Sequence, residues 1–174
     1  MRGFGEVGHL VRRFVVSLSN RPPSLQDEAW AQGWLSPGER ALWQAQPARD
    51  RRHCIGVARR VARVARATDV GQGPSDQHRW LVPAALLHDV GKAGVRLGVF
   101  GRSVATGLEI VGLRRAPGRL GRYLGYPSAG AALLAAAGSD ERVVSWAREH
   151  HLAPALWSVP RSGGEVLAQA DRDA

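Results

Sequence analysis

Apolar residues recur at helical spacing along most of the chain. A long helix is predicted over residues 47–68, where apolar positions recur at steps of four, four and three residues and arginines lie opposite them. The resulting stripe consists of His53, Val57, Val61 and Val64. His53 is therefore expected on the buried face, one turn before a valine.

Cap signals mark two shorter helices within the first 46 residues. Ser24 is a predicted N-cap, because a serine hydroxyl accepts a hydrogen bond from the free amides at a helix start. Ser36 begins a stronger signal, with Pro37 at the first helical position and Glu39 placed to complete a capping box. We predict a helix after each serine.

The apolar run before the middle of the chain predicts another helix. It is expected to begin near Ser75 or Asp76 and to run to Val90, with Gly91 as its C-terminal stop. Pro83 falls inside this run. Because proline lacks an amide hydrogen, a kink or a later helix start is expected there.

Only helices are predicted in the C-terminal half of the chain. Residues 95–137 contain two or three, and the last of these is rich in small residues and ends at Gly138. Ser139 is predicted to cap the next helix, which ends at a His-His pair, and Ser162 is predicted to begin the final helix with Glu165 completing a capping box. Since no stretch carries a convincing strand or hairpin signal, we predict an all-α fold.

The composition fits one globular domain and adds a strong positive charge. The 174 residues are enough to bury a core, and 44% of them are hydrophobic. The net charge of +9 comes almost entirely from arginine, since Lys92 is the only lysine. Such a charge favours binding to nucleic acid, to an anionic membrane or to an anionic substrate. Alternatively, it reflects only the base composition of the gene. Because the arginines are spread along the chain without a nucleic-acid motif, a nucleic-acid partner is the weaker alternative.

The sequence carries no predicted signal for export or membrane insertion. Cys54 is the only cysteine, so no intramolecular disulfide can form and a reducing compartment is expected. No apolar stretch reaches the roughly 18 residues of a membrane helix, and Arg12 and Arg13 interrupt the apolar N-terminus. We predict a cytoplasmic protein with no membrane partner.

Four side chains combine the residue types of a metal site. His88 and Asp89 stand side by side at the end of the apolar run in "ALLHDVGK". His53 lies on the preceding helix in "DRRHCIGVARRVARV", and Asp171 lies on the last helix in "VLAQAD". Taken singly, His53 is compatible with an ordinary histidine of the hydrophobic core, and the His88–Asp89 doublet is compatible with polar residues at a helix end. Together, imidazole and carboxylate groups suit a divalent Mn, Fe, Co, Ni or Zn ion.

These motifs resemble the HD-domain superfamily of metal-dependent phosphohydrolases, from about Asp50 to Asp171. The stretch "RRFVVSLSNRPPSLQDEAWAQGWLSPGERALW" is similar to the leader of a small bacterial subgroup of that superfamily. The resemblance implies an HD-domain-like helical bundle over residues 47–174. Residues 1–46 are expected to form an N-terminal helical segment packed on this bundle, in one structural unit.

The resemblance also implies which side chains form the site. Some branches bind a second metal through further histidines. His150 and His151 match one auxiliary position, whereas Tyr126 stands where the other histidine is expected, which argues against a full binuclear site. The implied metal ligands are His53, His88, Asp89 and Asp171.

A divalent ion in such a site lowers the pKa of bound water and polarises a phosphoryl oxygen. Asp89 is expected to ligate the metal and orient the water, and His150 or His151 to stabilise developing charge or protonate the leaving oxygen. Lys92 and Arg52 are candidates to hold a phosphate. The expected reaction is hydrolysis of a small phosphorylated substrate, either a phosphomonoester or a nucleotide.

Two other functions remain open from the sequence. A degenerate HD module would bind metal or nucleotide and regulate a partner without turnover. The missing auxiliary histidine favours that alternative, and retention of all four core ligands favours the enzyme. An arginine-mediated nucleic-acid binder is the third alternative. The oligomeric state is left open by the sequence.

Overall fold

Helices account for the regular structure in the described parts of the chain, residues 21–68, 78–94 and 125–174 of a computed structural model. No strand occurs among these residues, which confirms the predicted all-α fold. None of their helices is both long and apolar enough to cross a membrane. The α-helices are α1 (Leu25–Gln32), α2 (Pro37–Ala45), α3 (Ala48–Thr68), α4 (Leu81–Leu87), α5 (Tyr126–Ala136), α6 (Glu141–Glu149) and α7 (Arg161–Arg172), and 3₁₀ turns span Val90–Gly94 and Pro154–Leu156.

The predicted caps of the first two helices are confirmed. Ser24 Oγ accepts a hydrogen bond from the Asp27 amide at 3.1 Å. Before α2, Ser36 Oγ accepts from the Glu39 amide at 3.3 Å, and Glu39 Oε2 accepts in return from the Ser36 amide at 2.9 Å. Local hydrogen bonds therefore fix both starts, as the sequence predicts.

The N-terminal described helices pack on the same core as the rest of the chain. Ala31, Leu35 and Trp43 are buried in one hydrophobic cluster with residues of α3, α4, α6 and α7. The described helices before residue 47 therefore share the core of the bundle, and the division of the chain between residues 46 and 47 stays a prediction. Residues 1–20 of that segment lie outside the described residues.

Helix α3 begins and ends close to its predicted bounds, but its buried face is displaced from the predicted stripe. Val57 and Val61 are buried, whereas Val64 is 44% exposed and Ala65 takes its place in the core. At 100° per residue, positions 53 and 64 differ by nearly three whole turns and share one edge of the helix. His53 therefore lies at the border between core and solvent rather than at the centre of the buried face.

Helix α4 lies at the centre of the bundle, in contact with α2, α3, α6 and α7. Its apolar residues surround the axis, which is typical of a helix that is buried on all sides. Leu86 and Leu87 have no exposed surface. Since His88 and Asp89 follow directly, the burial of α4 places the doublet inside the protein.

The bounds of α4 differ from the predicted ones. It begins at Leu81, which places Pro83 in the first turn, where a missing amide hydrogen removes no intrahelical bond. It ends at Leu87, and Gly91 lies within the following 3₁₀ turn instead of stopping the helix. The prediction of a later start is correct and that of the glycine stop is wrong. Residues 69–77 lie outside the described part.

Two of the predicted C-terminal helix starts are wrong by one residue. Asp140, not Ser139, caps α6, because its Oδ1 accepts from the Arg142 amide at 2.8 Å. Helix α7 begins at Arg161 without a side-chain cap. Glu165 instead accepts from Arg161 Nε at 2.9 Å, so no capping box forms with Ser162. The predicted end at Gly138, with φ of 73°, is confirmed for α5, and the helices predicted over residues 95–124 lie outside the described residues.

The corrected cap of α6 gives a stability prediction. Asp140→Ala is expected to lower the free energy of unfolding by about 1 kcal/mol, the usual loss when an N-cap acceptor is removed. Ser139→Ala should leave it unchanged or raise it slightly, because the buried Ser139 Oγ has no hydrogen-bond partner within the described chain. Urea unfolding measures both values. A larger loss for the serine variant would contradict this cap assignment.

Candidate metal centre

The His88–Asp89 doublet is buried where α4 meets the 3₁₀ turn. His88 is 3% exposed and Asp89 is 5% exposed. His88 Nδ1 donates a hydrogen bond to the Ala85 carbonyl oxygen at 2.9 Å. The proton therefore lies on Nδ1, and the lone pair of Nε2 is directed towards the Asp89 carboxylate, 3.5 Å away. This is the arrangement of an imidazole that is ready to ligate a cation.

The two carboxylate oxygens of Asp89 differ in their surroundings. Oδ2 accepts a hydrogen bond from Lys92 Nζ at 2.7 Å. Oδ1 is buried and has no hydrogen-bond partner within the described residues. Burial raises the pKa of Asp89, but electrostatic interactions with the Lys92 ammonium and with the surrounding imidazoles together outweigh burial, so that the net pKa lies well below its usual range. Asp89 is thus an ionised carboxylate with one uncommitted oxygen.

His53 and Asp171 reach the doublet from two other helices. His53 Nε2, on α3, donates to Asp171 Oδ1, on α7, at 3.0 Å. The same Asp171 oxygen lies 3.8 Å from His88 Nε2. The side chains of His53 and Asp171 are 37% and 38% exposed, so solvent reaches the cluster from this side. Burial raises the pKa of Asp171, but the hydrogen bond from His53 and the electrostatic influence of His88 and His53 together outweigh burial, so that the net pKa lies below its usual range.

The predicted ligands converge closely enough to share one cation. One potential ligand atom each from His53, His88 and Asp89 lies within 4.8 Å of the other two. Asp171 joins them through its contacts with both imidazoles. The donor set fits a divalent transition metal, because an unpartnered buried carboxylate oxygen faces imidazole nitrogens. Coordination would require His53 Nε2 to lose its proton.

His150 approaches Asp89 from the opposite side. Its side chain is 3% exposed, and Nε2 lies 3.8 Å from Asp89 Oδ1. His150 Nδ1 donates to the Ala147 carbonyl oxygen at 3.0 Å, which leaves Nε2 as an acceptor. Burial, with smaller contributions from His88 and His151, lowers the pKa of His150 to about 3. His150 is therefore a neutral imidazole at neutral pH.

Tyr126 joins the two histidines at the end of α6. Its hydroxyl lies 3.2 Å from His150 Nε2 and also forms a hydrogen bond with His151 Nε2. His151 is exposed, whereas Tyr126 is 1% exposed. Glu149 holds this end of α6 in place, because its carboxylate accepts from the Ser158 amide at 2.7 Å.

The two predicted phosphate ligands are placed differently. Lys92 contacts the Asp89 carboxylate directly. Arg52 donates to the backbone oxygen of Arg21 at 2.5 Å, and this contact does not bring it to the doublet. Its neighbour Arg51 forms an ion pair with Glu28 at 2.8 Å. The role of Arg52 in phosphate binding stays a prediction.

Sequence reasoning missed three groups that orient the site. The carbonyl oxygens of Ala85 and Ala147 fix the imidazole tautomers of His88 and His150. Their position three residues before each histidine is a weak signal, since a histidine at a helix end often bonds to the preceding turn. The third group is the Tyr126 hydroxyl, whose contacts with the two histidines were not predicted.

Comparison with known proteins gives one match. The family model described as HD domain matches residues 51–172, which include all four predicted metal ligands. No curated protein and no solved structure matches the chain. The family match covers more than half of the chain.

Proposed function

The chain belongs to the HD-domain family, and from that premise we propose that it is a metal-dependent phosphohydrolase acting on a phosphomonoester or nucleotide. The observation that carries the proposal is the buried Asp89 carboxylate, whose unpartnered Oδ1 lies 3.8 Å from His150 Nε2 and whose Oδ2 lies 3.5 Å from His88 Nε2. An isolated buried carboxylate oxygen is costly to leave unsatisfied. A bound divalent cation would satisfy it.

The four predicted ligands are proposed to hold one divalent ion, either Mn, Fe, Co, Ni or Zn. Such an ion supplies a Lewis acid and lowers the pKa of bound water towards neutrality. The side of His53 and Asp171 is proposed as an approach for the phosphate, because both side chains are more than a third exposed. Asp89 and His88 form the buried wall of the site.

The remaining side chains are proposed to handle protons and phosphate charge. His150 is suited to accept a hydrogen bond rather than a proton, since its low pKa keeps it neutral and its Nδ1 is committed to the backbone. The sequence predicts that His150 or His151 protonates the leaving oxygen, and we assign this role to the exposed His151. Lys92 is proposed to contact a substrate phosphate from its position beside Asp89.

Metal analysis of the purified chain tests this proposal. The wild type is expected to retain about one transition-metal ion per chain and to hydrolyse p-nitrophenyl phosphate or a member of a nucleotide panel when Mn²⁺ or Ni²⁺ is supplied. His53→Ala should lose both properties. His78→Ala is the matched control, because it also removes one imidazole and His78 lies outside the cluster. Equal metal content and turnover in both variants would contradict the proposed site.

A regulatory module without turnover is the second candidate. It is favoured by the Lys92 ammonium, which already compensates the charge of Asp89, and by Tyr126, which occupies the hydrogen-bonding atoms of two histidines. Bound metal or nucleotide without hydrolysis of any panel substrate would support the module. Turnover that follows metal content across the ligand variants would exclude it.

A further inference from the structure

Tyr126 is a buried tyrosine whose two ends contact different parts of the site. It is the first residue of α5 and is 1% exposed. Its hydroxyl contacts His150 and His151, and its ring lies below the Lys92 ammonium, with Nζ 4.7 Å from the ring centre. Packing alone requires neither contact, because a phenylalanine or leucine would fill similar space.

The hydrogen bonds of the hydroxyl have one consistent direction. His150 Nδ1 carries the proton that is donated to Ala147, so His150 Nε2 must accept from Tyr126. Because a phenol has one hydrogen, His151 Nε2 must then donate to the Tyr126 oxygen. The hydroxyl therefore fixes the ring of His150 from the side opposite to its backbone bond.

The ring of Tyr126 restrains the other neighbour of Asp89. A cation over an aromatic face is attracted by the ring quadrupole. Lys92 Nζ lies over this face while it donates to Asp89 Oδ2, and His150 Nε2 lies near Asp89 Oδ1. One tyrosine thus contacts the two groups that flank the Asp89 carboxylate.

Backbone contact holds Tyr126 in this position. The 3₁₀ turn and α5 pack so closely that a Cβ on Gly91 would overlap the Tyr126 carbonyl oxygen and lie 2.8 Å from the Gly130 amide nitrogen. Main-chain packing therefore holds the backbone next to Lys92 against that of Tyr126, which keeps the Lys92 ammonium within reach of the ring.

We infer that Tyr126 is a positioning residue that orients His150 through its hydroxyl and Lys92 through its ring, on either side of the Asp89 carboxylate. This inference rests on the proposed function for its kinetic consequences. The control of two side-chain orientations by one tyrosine can be measured without enzymatic turnover.

Two substitutions separate the two contacts. Tyr126→Phe keeps the ring and removes the hydroxyl, and kcat is expected to fall about tenfold with KM nearly unchanged. Tyr126→Leu removes both, and KM should also rise about threefold, because Lys92 loses its aromatic contact. Ser128→Ala, exposed on the same helix, is the control and should retain wild-type kinetics. Thermal unfolding and metal content verify that each variant is folded and loaded.

A double-variant comparison tests whether Tyr126 acts through His150. If it does, adding Tyr126→Phe to His150→Ala should change kcat by less than about twofold. A full additional tenfold loss would overturn the inference, because the hydroxyl would then act without His150.

NMR of the histidine side chains in the metal-free protein tests the inference without a measurement of activity. Tyr126→Phe is expected to shift the imidazole nitrogens of His150 and His151 and to leave those of His53 and His88 unchanged. If the wild type hydrolyses no substrate and these shifts occur, the proposed function fails while the positioning contact stands. Unchanged His150 nitrogen signals would overturn the inference whatever the kinetics.

Discussion

Asp89→Asn is expected to lower the affinity of the chain for a divalent transition metal by at least about a hundredfold, since loss of supporting groups around a metal already costs that much. The substitution preserves shape but replaces a carboxylate, the proposed anionic ligand, by a neutral amide at the buried end of the cluster. Hydrolysis should disappear with the metal. Metal content after dialysis, and affinity measured by competition with a chelator, give the result.

Asp173→Asn is the matched control for the loss of one negative charge. Asp173 is an exposed carboxylate near the same end of the chain as Asp171, and its side chain contacts Gln169 rather than the cluster. This variant should bind metal like the wild type. Wild-type affinity in Asp89→Asn would refute the assignment of Asp89 as a ligand.

Asp89→Asn is also expected to lower the stability of the metal-free protein. Asp89→Asn leaves the partly buried Lys92 ammonium without its carboxylate, and breaking such a pair lowers the free energy of unfolding by about 3 kcal/mol. Because the folded-state pKa of Asp89 is depressed, its contribution is fully present above the unfolded pKa of about 4 and is lost as the pH falls through the folded pKa. Denaturant unfolding should therefore give a constant difference from about pH 7 to pH 4, and a smaller difference in stronger acid.

A double variant identifies the origin of that loss. Asp89→Asn combined with Lys92→Met removes both members of the pair, and most of the lost stability is expected to return. Continued instability of the double variant would mean that Asp89 acts on folding through groups other than Lys92.

Much of the convergence was predictable because three of the four predicted ligands, His53, His88 and Asp89, carry a local signal in the sequence. The doublet follows an apolar run that can only be buried, and His53 lies at helical spacing from Val57 and Val61. The described structure brings these three side chains together, and their role as metal ligands stays a prediction. Asp171 carries the weakest signal, since it is an acidic residue on the last predicted helix, and the family resemblance implies its role as a ligand.

Both local and tertiary contacts explain the errors. Asp140 replaces Ser139 as the cap, and its carboxylate also pairs with Arg142, two residues further on, at 2.6 Å. Helix α7 needs no side-chain cap, because its first turn packs through Gly163 and Gly164 on tryptophan rings. The Tyr126 hydroxyl contacts join residues 24 and 25 positions apart, and no periodicity in the sequence encodes such contacts.

Gly91→Ala is expected to lower the free energy of unfolding by about 3 kcal/mol or more, the range of severe overpacking. The reason is steric, because a methyl group at this position would overlap the backbone of α5 at Tyr126 and Gly130. Backbone atoms of a packed helix cannot move aside as a flexible side chain can. Separation of the 3₁₀ turn from α5 would also withdraw Lys92 from the Tyr126 ring.

Two other glycines separate this steric effect from the general properties of glycine. Gly138 has φ of 73° with open space around its Cβ position, so Gly138→Ala should lower stability by only about 1 kcal/mol through backbone strain. Gly56 lies within α3, where a Cβ would meet only the end of the Arg60 side chain at 3.4 Å. Gly56→Ala should therefore raise stability by up to about 1 kcal/mol, because alanine favours the helix.

Thermal and urea unfolding of the three alanine variants rank these effects directly. The expected order of stability is Gly56→Ala above wild type, then Gly138→Ala, with Gly91→Ala the least stable. Metal affinity should fall only in Gly91→Ala, because the 3₁₀ turn that contains this glycine begins directly after Asp89. A Gly91→Ala protein with wild-type stability and metal affinity would mean that the turn and α5 are not in backbone contact, and that Tyr126 is not held against Lys92 by main-chain packing.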